Sequence, residues 1–313
     1  MALPSSPSSI SLNQVNTELG FSATAIIAMN DAAVRTLFGV ASGAISMSNG
    51  YGKSNALAVN YLVVSGGNIG QQGGGGGGAG GYISTSASLS KGTAFTVTVA
   101  AGGSTPGQIG PSSSFNGTAP LGGGSTVNRS YTDIPGGSGY GQFYGPSFGY
   151  GTAGQGNNGG AGYYNGGCGA VSYGGGGGGA GAAGGGPGAG GAGLTWYDGI
   201  TRAGGGGGTI SYLTYCACGP FWYGQSGYAG GAGGGGTGAS SDDCNGYTAG
   251  VSGSANTGGG GGSGAINGTA GPSGGSGVVV IRYAGSQVAT GGTVTSSGGY
   301  TYHTFTTSGT FTT

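Results

Sequence analysis

A chain of 313 residues with 90 glycines, and only six basic and six acidic side chains, has no net charge to offer a partner. It lacks the basic excess that displaces counterions from a nucleic acid, so nucleic acid is excluded as a partner. Its 10% aromatic content excludes an intrinsically disordered chain, which is poor in such residues.

The N-terminal MALPSSPSSI has neither a basic nor an apolar segment, so no secretory signal is expected. No run approaches the ~18 apolar residues of a membrane span, so no membrane insertion is expected. Ser11 is placed to N-cap a helix over Leu12–Leu19 that Gly20 stops. Asn30 or Asp31 is placed to cap a second, Ala32–Phe38, stopped by Gly39. Val34, Leu37 and Phe38 give this helix one apolar face. Both helices are too short to stand alone in water and must pack on a partner chain or on each other. Gly52-Lys53-Ser54 is no phosphate loop, because the full motif places glycine where Met47 stands.

From residue 56 the pattern changes to alternation and β-branched runs. Strands are predicted at Ala56–Val64, Tyr82–Ser86, Ala94–Ala100, Gly277–Tyr283, Gly292–Ser296, Gly299–Thr306 and Thr310–Thr313. Phe95, Val97 and Val99 fall on one face, and the two ends of the region are expected to pair as a small β frame over 56–102 and 277–313.

Between these ends lie glycine runs at Gly73–Gly81, Gly174–Gly193, Gly204–Gly208, Ala229–Gly238 and Gly258–Gly262. An isolated run is a flexible linker, since ordering each residue costs about 1–2 kcal/mol. Several runs together have another option. In the polyproline II conformation N–H and C=O groups point outward in three directions, and without Cβ atoms neighbouring rods can bond each other. The runs lack the Ser, Glu and Lys of solvated linkers, and Ala replaces Gly at scattered places, as open edge positions would allow. No strict Gly-X-Y period runs through the chain, which excludes collagen. The expected fold is therefore mostly irregular and β. It is a polyglycine II bundle with aromatic loops over 73–276, clamped by the small sheet, with a separate module at 1–54.

The window 131–247 holds 13 of the 19 tyrosines and both tryptophans. Tyr, Trp, Gly, Ser and Asn together make good recognition surfaces, rigid in area and adaptable in hydrogen bonding. The candidates are Tyr140, Phe143, Tyr144, Tyr163, Tyr164, Trp196, Tyr197, Phe221, Trp222 and Tyr223. Loops between rods must emerge at rod ends, which predicts Phe143, Tyr144, Trp196, Phe221, Trp222 and Tyr223 at the end away from the N-terminal module. The competing role for these rings is to cover bundle faces that have no side chains of their own, and both roles are expected. Asp198, Arg202, Asp242 and Asp243 are candidates for polar specificity.

Catalysis is not expected. Glu18 is the single glutamate, and His303, the single histidine, sits in the strand-like YTYHTF. Cys168, Cys216, Cys218 and Cys244 read as structural, free or disulfide-bonded. Cys216 and Cys218 are too closely spaced, and too far from His303, to read as half of a zinc site. No metal or cofactor is expected.

Two resemblances add to this reading. SLNQVNTELG followed by NDAAVRTLFGVASGAISMSNGYGKS, over Ser11–Ser54, resembles a short N-terminal module of tailed-phage virion proteins. YLVVSGG, GGGGGGAGGYI, TVTVAAGG and the late GVVVIRYAG are similar to the glycine-rich domain of phage tail and fibre proteins. In architecture the chain also resembles the polyglycine II tip adhesins of T-even-like phages, although its N-terminus is not their fibre-docking domain. The resemblance implies a virion protein, extracellular after release. Its residues 1–54 would join other virion proteins, and its aromatic loops would contact a host surface protein or glycan. The alternative is a structural tail or capsid component without its own receptor. Whether the chain acts singly or as a homo-oligomer is left open.

Overall fold

The computed structural model describes residues 2–72, 74–126, 133–143, 149–165, 170–213, 227–242, 246–265 and 270–313. The fold is β and irregular, with two short α-helices at the N-terminus.

The glycine runs form a hydrogen-bonded lattice. In the run 174–179, the N–H groups of Gly174 and Gly177 donate to the carbonyls of Thr209 and Gly206. Those of Gly175 and Gly178 donate to Gln142 and Gly139, and those of Gly176 and Gly179 to Gly185 and Ala182. Each neighbouring run recurs at every third residue, the period of a polyglycine II rod. The carbonyls follow the same rule: Gly174 and Gly177 accept from Gly188 and Gly191, Gly175 and Gly178 from Gly76 and Ala79, and Gly176 and Gly179 from Gly160 and Asn157. The run 204–209 repeats the pattern against runs at 233–236, 188–191 and 74–77. Glycine is required because the rods touch backbone to backbone. A Cβ on Gly175, Gly176, Gly177 or Gly206 would overlap the carbonyl of Gly160, Ala189, Gly77 or Gly261 respectively. Alanine at 183, 189, 192, 229 and 232 is exposed, as expected for edge positions. Ala79 and Ala203 are buried instead, because they meet side chains of the β frame, among them Leu62, Val64 and Val280.

The lattice has two distinguishable ends. Rods 74–81 and 174–179 run parallel, and 204–209 runs antiparallel to both. Gly81 leads straight into the Tyr82–Ser90 strand, which marks the frame end. Tyr173, Ile210 and Ser240 lie at the opposite, far end.

The frame forms as its alternation predicts. Ala56–Val64 pairs antiparallel with both Val278–Ala284 and Tyr82–Ser90. Tyr300–Phe305 and Thr293–Ser297 extend the sheet beyond Val278–Ala284. A second sheet joins Gly309–Thr312, Ala94–Thr98 and Ser114–Phe115. Val97 is buried while Thr96 and Thr98 are exposed, so the predicted face is the inner one. The core between the sheets comprises Val59, Tyr61, Val63, Val97, Phe115, Val279, Ile281, Tyr283, Phe305 and Phe311. The other face of the first sheet meets the lattice through Leu62, Val64, Val278 and Val280.

His303 lies in this core as a structural residue. Its Nδ1–H donates to the Gly291 carbonyl at 2.7 Å. Its Nε2 accepts from the Tyr283 hydroxyl at 3.0 Å, which itself accepts the N–H groups of Val288 and Ala289. Burial pushes the imidazole below its ordinary value, against the opposing effect of the Gly291 hydrogen bond. A proton on Nε2 would make this acceptor a donor, facing a hydroxyl oxygen that already accepts two N–H groups. Since the folded value is depressed, the neutral ring's contribution is fully present above the unfolded value near ~6.5 and is lost as pH falls through the folded one. The expected result is a thermal midpoint that drops as pH falls below about 6.5. His303→Gln should flatten that dependence, and an unchanged slope in the variant would contradict it.

The two predicted helices form, α1 at Leu12–Glu18 and α2 at Ala32–Phe38. Ser11 and Gln14 complete a reciprocal capping box, and Gly39 ends α2 at φ 72°. Of the two ways to bury their faces, the chain takes the internal one. Val15, Val34, Leu37 and Phe38 close on Leu3, with Ile10, Leu19, Ile27, Val40 and Met47 around them. The argument for a partner chain from unburied helix faces therefore falls away. Glu18 ties α1 to the start of the frame, its Oε1 accepting from Ser54 Oγ and the Asn55 N–H.

Candidate functional site

The far end of the lattice carries a second five-stranded sheet that sequence alternation did not reveal. Its order is Gly246–Thr248, Ser240–Asp242, Ile210–Leu213, Ala170–Tyr173, Tyr163–Asn165. The lattice fixes its direction, because Gly174 follows Tyr173 and Thr209 precedes Ile210. Pairing of Asn165 with Val171, Leu213 with Ala170, Tyr212 with Asp242 and Asp242 with Gly246 sets the other strand ends side by side. Segments 166–169, 214–226 and 243–245 are joined to the sheet at those ends. They lie outside the described residues, and with them Phe221, Trp222, Tyr223, Asp243 and all four cysteines. Tyr144 also lies outside.

Of the described candidates, Tyr163 and Tyr164 stand at this far end, 51% and 45% exposed. Phe143 is there too, half-buried, its Cβ against the position a side chain on Gly74 would take. Tyr163 stacks on Tyr173 with centroids 6.3 Å apart, and Tyr173 meets Tyr228 at 6.4 Å. Burial, then the neighbouring Tyr173, raises the Tyr228 hydroxyl above its ordinary value. Tyr173 and Tyr228 were not among the candidates. The signal for Tyr173 was present in YYNGGCGAVSY, where a hairpin brings Tyr163 opposite Tyr173. The result is a tyrosine cluster whose half-exposed rings offer flat apolar area and hydroxyl groups.

Three candidates lie elsewhere. Tyr140 is 1% exposed inside the lattice, where it covers the glycine rods. Trp196 and Tyr197 are at the frame end, not the far end. They form the turn of a hairpin, Leu194–Thr195 with Thr201–Arg202, closed by Gly199 at φ 77°. Trp196 is 6% exposed and donates from Nε1 to Ser84 Oγ at 2.9 Å. Tyr302 donates from its hydroxyl to the Tyr197 carbonyl at 3.2 Å. Arg202 holds both oxygens of Asp198, at 2.7 and 3.0 Å. This pair braces the turn and leaves neither group for a ligand. Burial, partly offset by Arg202 and reinforced by Asp198, pushes the nearby Tyr82 hydroxyl up to about 12. The hairpin thus belongs to the core that joins lattice and frame.

The family model described as a glycine-rich domain matches residues 46–284, from the edge of the N-terminal module to the end of the Val278–Ala284 strand. The chain belongs to the glycine-rich domain family. No match to a curated protein or to a solved structure was found. Among the described residues no group of His, Cys, Asp or Glu is arranged to hold a metal ion, and no helix is long and apolar enough to cross a membrane.

Proposed function

We propose that this glycine-rich protein is a phage virion adhesin, mounted through residues 1–54 on a tail or fibre and contacting a host surface protein or glycan at the far end of its lattice. One observation supports the reading above the rest. The lattice is polar in construction: the N-terminal module joins the frame, while Tyr163, Tyr164 and the chain ends flanking Phe221, Trp222 and Tyr223 stand at the opposite end. A rigid rod lattice holds that end still, which spares the ordering cost of a flexible paratope.

The test is adsorption of particles carrying Tyr163→Ser with Tyr164→Ser, and separately Trp222→Ala, after Trp196 fluorescence has established folding. Truncating a central aromatic costs upwards of about 2 kcal/mol, so adsorption should fall roughly 30-fold. With so little charge on the chain, the loss should be the same at low and high salt. A chain lacking residues 1–54 should fold yet be missing from the particle. If the far-end variants fold, enter the particle and adsorb as wild type, a structural virion role replaces this one.

A further inference from the structure

The frame sheet has a face only half covered. At its lattice side the hairpin sits on Leu62, Ser84, Val280 and Tyr302. Beyond the hairpin the same face is bare, and an open trough of about 540 Å³ runs over Ala58, Asn60, Ser86, Ser88, Ala284 and Tyr300. Register places Ser86, Asn60, Arg282 and Tyr302 side by side on successive strands, about 4.8 Å apart from one strand to the next.

Arg282 flanks this trough, as the register partner of Asn60, which lines it. Its guanidinium carbon lies 3.4 Å from the Tyr197 ring centroid and 4.3 Å from that of Tyr300. The cation is therefore packed against two aromatic rings. Among the described residues its guanidinium makes one long hydrogen bond, 3.4 Å to the Tyr302 hydroxyl, and its buried Nε has no partner. The nearby carboxylate, Asp198, is spent on Arg202.

We propose that this trough binds an acidic saccharide, with the sugar carboxylate on the Arg282 guanidinium. A planar guanidinium with free edge donors suits a carboxylate bidentately. Asn60, Ser86 and Ser88 supply amide and hydroxyl partners for ring hydroxyls, and Tyr300 supplies a flat apolar wall for the sugar's C–H face. A free inorganic anion would use the cation alone and leave the serine and asparagine row idle. The site is at the frame end and stands independently of the far-end aromatic surface.

The experiment is calorimetric titration of the full chain with a glucuronate-containing disaccharide, a neutral disaccharide of matched size, and acetate. The acidic sugar should bind at least about tenfold tighter than either control. Arg282→Gln should abolish that preference. Because this change also removes the stack on Tyr197, Trp196 fluorescence is followed to establish that the hairpin stays docked. Ser88→Phe, at an exposed floor position away from Arg282, should block the acidic sugar while the frame stays intact. Absence of binding by wild type, equal binding of the neutral sugar or of acetate, or full binding by Ser88→Phe would each overturn the proposal.

Discussion

Gly206→Val is expected to destabilise the chain by at least about 4–5 kcal/mol and to lower its urea midpoint sharply. Gly206 donates to the Gly77 carbonyl at 3.0 Å and accepts from Gly177 at 2.8 Å, and its missing Cβ faces the Gly261 carbonyl. A branched side chain there has no rotamer that avoids the facing rod, so the rods must separate. Separation breaks a row of backbone hydrogen bonds, each contributing about 0.5–1.5 kcal/mol net and costing more when its groups stay buried and unpaired. The total reaches at least about 4–5 kcal/mol, the extreme of single-substitution effects. Against an ordinary domain stability of about 5–15 kcal/mol, this removes from about a third of the stability to all of it. The comparison is Ala189→Ser, on the exposed edge, which should stay within about 0.5 kcal/mol of wild type. Urea unfolding of both variants checks this. A Gly206→Val chain with a wild-type midpoint would mean that the rods are not packed backbone to backbone.

The frame was legible because its strands announce themselves through side chains. ALAVNYLVV and GVVVIRY carry a burial pattern, and the two ends of the region pair as expected; the structure adds the register, Val64 opposite Val278. The helices were legible through their caps. The lattice was legible only as a kind of structure. A glycine run has no side chains to encode which run it meets or in which register, so the contact of 174–179 with 204–209 is fixed by chain connectivity and loop length. That is also why the tryptophans were placed alike. Trp196 and Trp222 sit in similar aromatic windows, and composition does not tell them apart. What separates Trp196 from the far end is the direction of the preceding rod. The run 188–193 starts beside Gly174 at the far end, passes Gly177 at Gly191, and delivers the chain to the frame end just before Leu194. Counting traverses from Ser65 onward carries that information, but only once the rods are known to cross the whole lattice.

The position of Trp196 sets the remaining prediction. A tryptophan kept for recognition loses little stability when truncated, whereas one in a core loses much. Trp196 packs with Leu62, Tyr82, Val280 and Tyr302, and its ring meets that of Tyr302 edge-on at 6.3 Å. It also forms the bed on which Tyr197 and Arg282 lie, with the Arg282 guanidinium 5.9 Å from its own ring. Trp196→Ala is therefore expected to cost about 3–5 kcal/mol through a cavity that the rigid rods cannot collapse to fill. Ser84→Ala removes only the indole's hydrogen-bond acceptor at an exposed position and should cost about 1 kcal/mol. Denaturant unfolding followed by far-ultraviolet circular dichroism separates the two, since Trp196→Ala also removes a fluorophore. Any loss of adsorption in Trp196→Ala should track the fraction unfolded and be recovered on cooling or with an added stabilising osmolyte. A variant with a wild-type midpoint that nevertheless fails to adsorb would return Trp196 to the recognition surface and remove the hairpin from the core.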